Sequence, residues 1–499
     1  MPEPGHPSAD AEVLALDSDD DWKSLLDRYP GRPRRPLERC LEVARAGGAR
    51  CVVVEHDYHD DDYRSEYYAF FAQTFLTVPD GAQRLLFFDT AFATHELADI
   101  PEQIECVGYV TIRPHELGRV GRTVLRPPPD LADAVTTAIT DLVHLFGQEY
   151  RIVGVPFMQQ DKQLGRCAQA AAWMCHFTAF RREDDVHRRS VADFSLLADR
   201  STAQGRMLPS DGLTVTQLSS LLDGFGLPPI QYRMGEMPTP DKTRPLPVGH
   251  DTNAHPGTWD HRAISVACRY LNSAYPVLVG TKDHAFVLCG YQRTQRNDRE
   301  WIEFVRHDDQ RGPYLRVDNI LADEDPDTGA IYGPWETILA PVPRDVWLQP
   351  EAAEAAAREL IPAFAAYAIE KARENDPLSE ALRRGDAGFR TYAISQNDFK
   401  ARLVRRADTN PHLLARLRFT RMSRMIWVVE AVDRTLRAAH DDRCVVAEAI
   451  YDATSADDAP GLLALWGSGR LWTAHPAGDD PPESSCSPAP TLSVANRPF

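Results

Sequence analysis

The stretch Gln159-Gln160-Asp161-Lys162-Gln163-Leu164-Gly165-Arg166-Cys167-Ala168-Gln169-Ala170-Ala171-Ala172-Trp173-Met174 sets a cysteine where an irregular, Gln-rich segment turns into an alanine-rich helix. No other stretch constrains the fold as far. The N-terminus of a helix offers unpaired N–H groups and the positive end of the dipole, which favour thiolate over thiol. A glutamine shortly upstream can give its amide to an oxyanion forming beside the sulfur. Downstream, His284 opens the apolar run Ala285-Phe286-Val287-Leu288-Cys289, and Asp308-Asp309 closes the next one, Phe304-Val305-Arg306-His307. The order is Gln, Cys, His, Asp, and a fold that uses it brings a helix start, a strand start and a strand end into one cleft.

Each residue type suits one step. His284 takes the Cys167 proton and later protonates the leaving group. Asp308, or Asp309 beside it, accepts a hydrogen bond from the other ring nitrogen and fixes the tautomer. Gln160 is the candidate oxyanion donor, with Gln159 and Gln163 as competitors and the Cys167 backbone N–H as second donor. The plainer readings are a small buried apolar residue for Cys167, a polar residue closing a hairpin for His284, and a turn start for the acid pair.

These residues and their contexts resemble the papain-like cysteine peptidases, most closely the bacterial branch that processes bacteriocin leaders. The resemblance covers roughly residues 151 to 345. It implies an α+β fold in which a helical lobe headed by Cys167 faces an antiparallel sheet lobe carrying His284 and the acid, flanked by further α+β regions. In the family the acid is commonly followed by proline. Here Asp309 stands where that proline would be, which favours Asp308 as the acid and turns Asp309 toward the following loop. The family's Cys-Gly reads Cys167-Ala168, and the step from Gln160 to Cys167 (167 − 160 = 7) is one residue longer than usual.

Composition bounds the partners. Lys+Arg 55 against Asp+Glu 73 gives a net charge of −18, a field that repels phosphate backbones and anionic membranes, so nucleic acid is a poor partner. The N-terminus, Met1-Pro2-Glu3-Pro4, lacks secretory character and no uncharged apolar run reaches the roughly 18 residues of a span. A cytoplasmic protein with no membrane contact is expected. Nine cysteines without CxxC pairs suggest neither disulfides nor a zinc ribbon. No glycine loop of nucleotide-binding type is present, and no cofactor is expected.

Along the 499 residues, 1–21 reads as a disordered acidic lead-in, 22–150 as an N-terminal α+β domain, 151–345 as the peptidase-like domain, 346–475 as a C-terminal α+β region whose packing on the first domain is left open, and 476–499 as a disordered tail. Tyr63, Tyr67, Phe70, Phe71 and Phe75 recur at helical spacing between two strand-like runs. Pro127-Pro128-Pro129 reads as a stiff connector. Thr214 and Gln217 have capping-box spacing, 235–260 reads as a long surface loop, and Arg262–Asn272 as a helix. A helix over Glu351–Asn375 is expected to break at Pro362, followed by strands at Met425–Val429 and Cys444–Val446. His56-Asp57-Tyr58-His59-Asp60-Asp61-Asp62 fits a solvated helix start better than a metal site, and the Arg416, Arg418, Arg421, Arg424 stripe reads as a solvated face.

The expected function is an intracellular cysteine hydrolase that cleaves a peptide or isopeptide bond through a Cys167 thioester, with flanking regions serving a protein partner or substrate. The alternatives are a catalytically silent scaffold in a protein-interaction factor, and a thioester acyltransferase or deamidase.

Overall fold

The computed structural model describes residues 11–75, 77–97, 100–101, 103–161, 167–200, 213–234, 250–251, 259–282, 284–296, 299–317, 323–324, 331–370, 376–404, 411–438, 444–456, 460–467 and 470–473. Helices alternate with sheets whose ladders are antiparallel, so the chain is an α+β protein. It divides into two compact units, 1–267 with 274–342, and 268–273 with 343–499.

The first unit opens with β1 (Ala11–Ala15), α1 (Asp19–Asp27) and α2 (Arg35–Ala46). The lead-in reading of 1–21 is therefore corrected from Ala11 onward, while residues 1–10 lie outside the described residues. Asp19-Asp20-Asp21 forms the first turn of α1, where carboxylates meet the positive end of the dipole. Ser18 caps it reciprocally, its backbone N–H donating to Asp21 Oδ2 at 2.8 Å and its hydroxyl accepting from the Asp21 N–H at 3.3 Å.

Next come β2 (Cys51–Tyr58), α3 (Asp61–Ala69), β3 (Ala82–Phe88), β4 (Cys106–Ile112), β5 (Val120–Leu125), β6 (Val135–Thr136), β7 (Ile139–Leu145) and β8 (Gln148–Phe157). Seven of these strands form one sheet in the order β1-β2-β3-β4-β5-β8-β7. Alternation explains how both its faces are covered: Val52 and Val54 enter one apolar cluster with α1 and α2, whereas Cys51 and Val53 enter another with Leu145 and Ile152. The aromatic face expected from Tyr63 to Phe75 stops short. The helix ends at Ala69, a 3-10 turn over Phe71–Gln73 breaks the spacing, and Tyr63 and Phe71 are buried while Phe75 is fully exposed.

After α4 (Cys167–Phe180), α5 (Val191–Arg200) and α6 (Val215–Gly224), a second sheet is built from β9 (Pro229–Arg233), β10 (His250–Asp251), β11 (Val277–Gly280), β12 (Ala285–Arg296), β13 (Arg299–Asp308), β14 (Gly312–Val317) and, beyond the short ladder of β15 (Asp323–Glu324) with β16 (Ile331–Tyr332), β17 (Thr337–Pro341), with β6 pairing against β12. The capping box at Thr214 and Gln217 starts α6, as expected. Of the loop expected over 235–260, residues 235–249 and 252–258 lie outside the described residues; β10 pairs with β13, and α7 (Trp259–Asn272) begins before Arg262.

The sequence boundary at 150 falls inside β8, and the two sheets share one apolar cluster in which Val52 and Val155 join Ala171, Val287 and Val305. Tyr314 ties them further: its hydroxyl donates to the Leu125 carbonyl and accepts from the Val155 N–H, each at 2.8 Å.

The second unit holds α8 (Pro350–Glu370), α9 (Pro377–Arg384), β18 (Ala387–Ser395), α10 (Gln396–Val404), α11 (Pro411–Phe419), β19 (Met425–Asp433), α12 (Arg434–Ala438), β20 (Val445–Asp452), β21 (Leu462–Gly467) and β22 (Arg470–Thr473), with the strands in sequential order. The expected pair over 425–429 and 444–446 lies in β19 and β20. The break expected at Pro362 is not found; α8 runs through it, because Ala353, Ala357, Ile361 and Ala365 form a buried stripe at helical spacing that holds the segment straight enough to pack. Residues 371–375 and 474–499 lie outside the described residues. In the arginine stripe, Leu417 and Met422 are buried while Phe419 is exposed. No helix among the described residues is long and apolar enough to cross a membrane.

Candidate active site

Cys167 is the first residue of α4. From Ala168 to Ala179 every side chain of this helix is buried, and its small alanines admit neighbouring elements on all sides. Cys167 itself is only half-buried, whereas Cys40, Cys51, Cys106, Cys175, Cys268, Cys289 and Cys444 are buried. Burial pushes the Cys51 and Cys106 thiols up to about 11 and about 12 and raises those of Cys40, Cys175 and Cys289 as well, which keeps them protonated and inert.

His284 immediately precedes β12, in the connection from β11. Its carbonyl accepts from the Thr281 backbone N–H at 2.9 Å and from the Thr281 hydroxyl at 3.2 Å, so the turn fixes where the imidazole leaves the sheet. The ring is almost wholly buried and lies close enough to the Cys167 side chain for the two to interact. Nε2 lies 3.2 Å from Asp308 Oδ2 and 3.8 Å from Asp309 Oδ1. Gln310 Nε2 stands 3.4 Å from Nδ1. With Nε2 committed to carboxylate, Nδ1 is the nitrogen left to exchange a proton with sulfur.

Asp308 ends β13: Oδ1 accepts the Gln310 N–H at 3.0 Å, and Oδ2 faces His284 at 3.2 Å with Arg306 Nη2 at 3.8 Å. Asp309 does not turn away as its place in the proline position suggested. It is buried and faces the same imidazole nitrogen, because a β-bulge between Arg306 and Asp308 ends the strand alternation that would have sent neighbours to opposite sides.

Electrostatics follow from this packing. Burial by itself would push the His284 pKa down; the Asp308 carboxylate, then the nearby Cys167 side chain and Asp309, more than reverse it and hold the imidazole well above its ordinary value. Burial would raise Asp308, but His284, Arg306 and the Gln310 N–H hold it well below the usual carboxylate range. His307, pointing to Phe157 and Tyr314 with Nδ1 at 3.1 Å from the Pro156 carbonyl, is pushed down to about 3 by burial and is a neutral packing residue.

The glutamines separate cleanly. Gln159 is spent on structure: its Oε1 accepts the Val120 N–H at 3.1 Å and its Nε2 donates to the Pro33 carbonyl at 3.1 Å. Gln160 is buried on the segment that leads from β8 toward Cys167. Its backbone is pressed by Gly118 in the β4–β5 hairpin. A Cβ at Gly118 (φ +65°) would lie 2.1 Å from the Gln160 carbonyl oxygen and 2.6 Å from Asp161 Cα, so only glycine fits. Gln163 lies outside the described residues.

The structure thus brings Cys167, His284, Asp308 and Asp309 together. Sequence reasoning overlooked Arg306 and Gln310. The available signal for Arg306 was its i, i+2 relation to Asp308 on a strand. His284, Asp308 and Asp309 also offer ligand atoms within 4.8 Å of one another, a donor set that could hold a divalent cation. In the acidic run after β2, Asp60 and Asp62 are not solvated: both are buried and paired with Arg122, and Asp62 also with Arg188. Comparison with protein-family models, with curated proteins and with solved structures finds no match in any of the three.

Proposed function

We propose that this chain is a cysteine hydrolase of papain-like architecture acting on a peptide or isopeptide bond. The observation that carries the reading is the line from Cys167 through His284 to Asp308, with the sulfur at the start of a buried helix, the imidazole just before one strand and the acid at the end of its antiparallel neighbour. His284 Nδ1 takes the thiol proton and Cys167 Sγ attacks the carbonyl carbon. The oxyanion is met by the Gln160 amide and the Cys167 backbone N–H. Collapse expels the amine, which leaves with the proton from His284, and a thioester remains on Cys167. Water, deprotonated by His284, then releases the acid and restores the thiol. An amine acceptor in place of water would make the same site an acyltransferase.

The test uses the full chain with a library of tetrapeptide vinyl sulfones, read by intact mass and peptide mapping. A single adduct on Cys167, absent from Cys167→Ala, supports the reading; adducts spread over other cysteines, or none, sink it.

A second reading has one observation in its favour, the His284, Asp308 and Asp309 donor set. A divalent cation there would compete with Arg306, whose guanidinium already stands 3.8 Å from Asp308. Elemental analysis of purified protein separates the two: stoichiometric metal removed by chelator with loss of activity favours the metal site.

A further inference from the structure

A pocket of about 620 Å³ lies at the end of the seven-stranded sheet where β2 and β4 finish and β3 and β5 begin. Its lining includes Arg28, Arg113, Arg119 and His56 and no carboxylate. Size and lining suit a small ligand held by a few converging polar groups.

Three observations give the pocket its sign. Arg113 is buried; its Nη1 donates to the Gly118 carbonyl at 3.1 Å and its Nε faces Glu66 Oε2 at 3.3 Å, while Nη2 has no hydrogen-bond partner among the described residues. The facing Glu66 is itself buried, and burial with the neighbouring acids raises it to about 8 against the pull of Arg113, which makes it a weaker counter-charge than an exposed carboxylate. Arg119 donates only to the carbonyls of Pro30, Arg113 and Pro114, and no carboxylate stands within ion-pair distance of it among the described residues. The third arginine, Arg28, is paired with Glu12 at 2.6 Å, which also faces His56 at 3.4 Å. Asp57 at the rim beside Gly81, Asp80 between the lining residues Pro79 and Gly81, and Glu116 on the hairpin are other nearby acids. Arg119 therefore has no carboxylate at ion-pair distance among the described residues, and Arg113 keeps Nη2 beyond its contacts with Glu66 and the Gly118 carbonyl, in a concave site with hydrogen-bond donors to spare.

We infer that this pocket binds a carboxylate or phosphate group of an anionic ligand. Guanidinium forks match either planar or tetrahedral oxyanions, and such charge-assisted bonds are the strong ones. The inference does not rest on thiol chemistry at Cys167.

The experiment titrates the full chain calorimetrically with sodium pyrophosphate and, separately, with a tetraglutamate peptide, across a salt series. The expected result is saturable binding of one probe, weakened by salt and by about tenfold or more in Arg28→Gln and in Arg119→Gln. Pyrophosphate alone would assign a phosphate ligand and the peptide alone an acidic polypeptide. Arg119 also ties loops together, so circular dichroism checks its fold; should that variant fail, the half-exposed Arg28 carries the test. Failure of both probes to saturate by about 10 mM, or undiminished binding in every folded variant, overturns the inference.

Discussion

Asp308 Oδ2 stands 3.2 Å from His284 Nε2, closer than Asp309 Oδ1 at 3.8 Å, and both acids are buried with the ring. Asp308 also has its second oxygen fixed by the Gln310 N–H, so it has the geometry of the orienting group. Asp308→Asn should keep the fold and lower turnover strongly, by as much as ~10⁴, through the wrong tautomer. Asp309→Asn should cost about tenfold or less. Steady-state rates on any substrate recovered from the vinyl sulfone screen decide it, and the reverse ranking would give the role to Asp309.

The shifted imidazole predicts a pH dependence of stability. The folded pKa of His284 is raised above its unfolded value, so its contribution is fully present below the unfolded pKa, roughly 6.5, and is lost as pH rises through the folded value. Asp308, lowered in the folded state, contributes above its unfolded pKa, roughly 3.9, and loses that as pH falls through the folded one. The melting-temperature gap between wild type and His284→Ala should therefore be wide near pH 6 and narrow in alkali. A gap that widens with rising pH contradicts the assignment.

Gln159 and Gln160 should part company on substitution. Gln160→Ala should lower the chemical step by roughly 10² to 10³ with little change in melting temperature. Gln159→Ala leaves the Val120 N–H and Pro33 carbonyl without their partners and should destabilise by about 1 to 3 kcal/mol. Parallel thermal melts and rates check both.

Arg306 is wholly buried, stacks over Phe286 and faces Asp308. Arg306→Met removes a cation that helps hold Asp308 ionised, and should destabilise the fold by about 3 to 5 kcal/mol. Denaturant melts give the number.

How much was legible follows from range along the chain. The helix start at Cys167, the strand start at His284 and the strand end before Asp309 are local patterns, and so is the capping box at Thr214; each lies in the structure where its periodicity put it. The pairing of β5 with β8 across Pro127-Pro128-Pro129, by contrast, is a long-range event, and the triple proline reads locally as a boundary. Asp60 and Asp62 look solvated until Arg122 and Arg188 arrive from distant segments. The orientation of Asp309 was missed because a bulge, rather than composition, sets it.

The most direct test of the central claim is the rate of iodoacetamide alkylation at Cys167 against pH, read by peptide mapping in wild type and His284→Ala. The account predicts that Cys167 reacts at least about tenfold faster than the buried cysteines near pH 6, and that His284→Ala abolishes this advantage. Equal, slow labelling of Cys167 in both proteins, rising only in alkali as an ordinary thiol does, would contradict it.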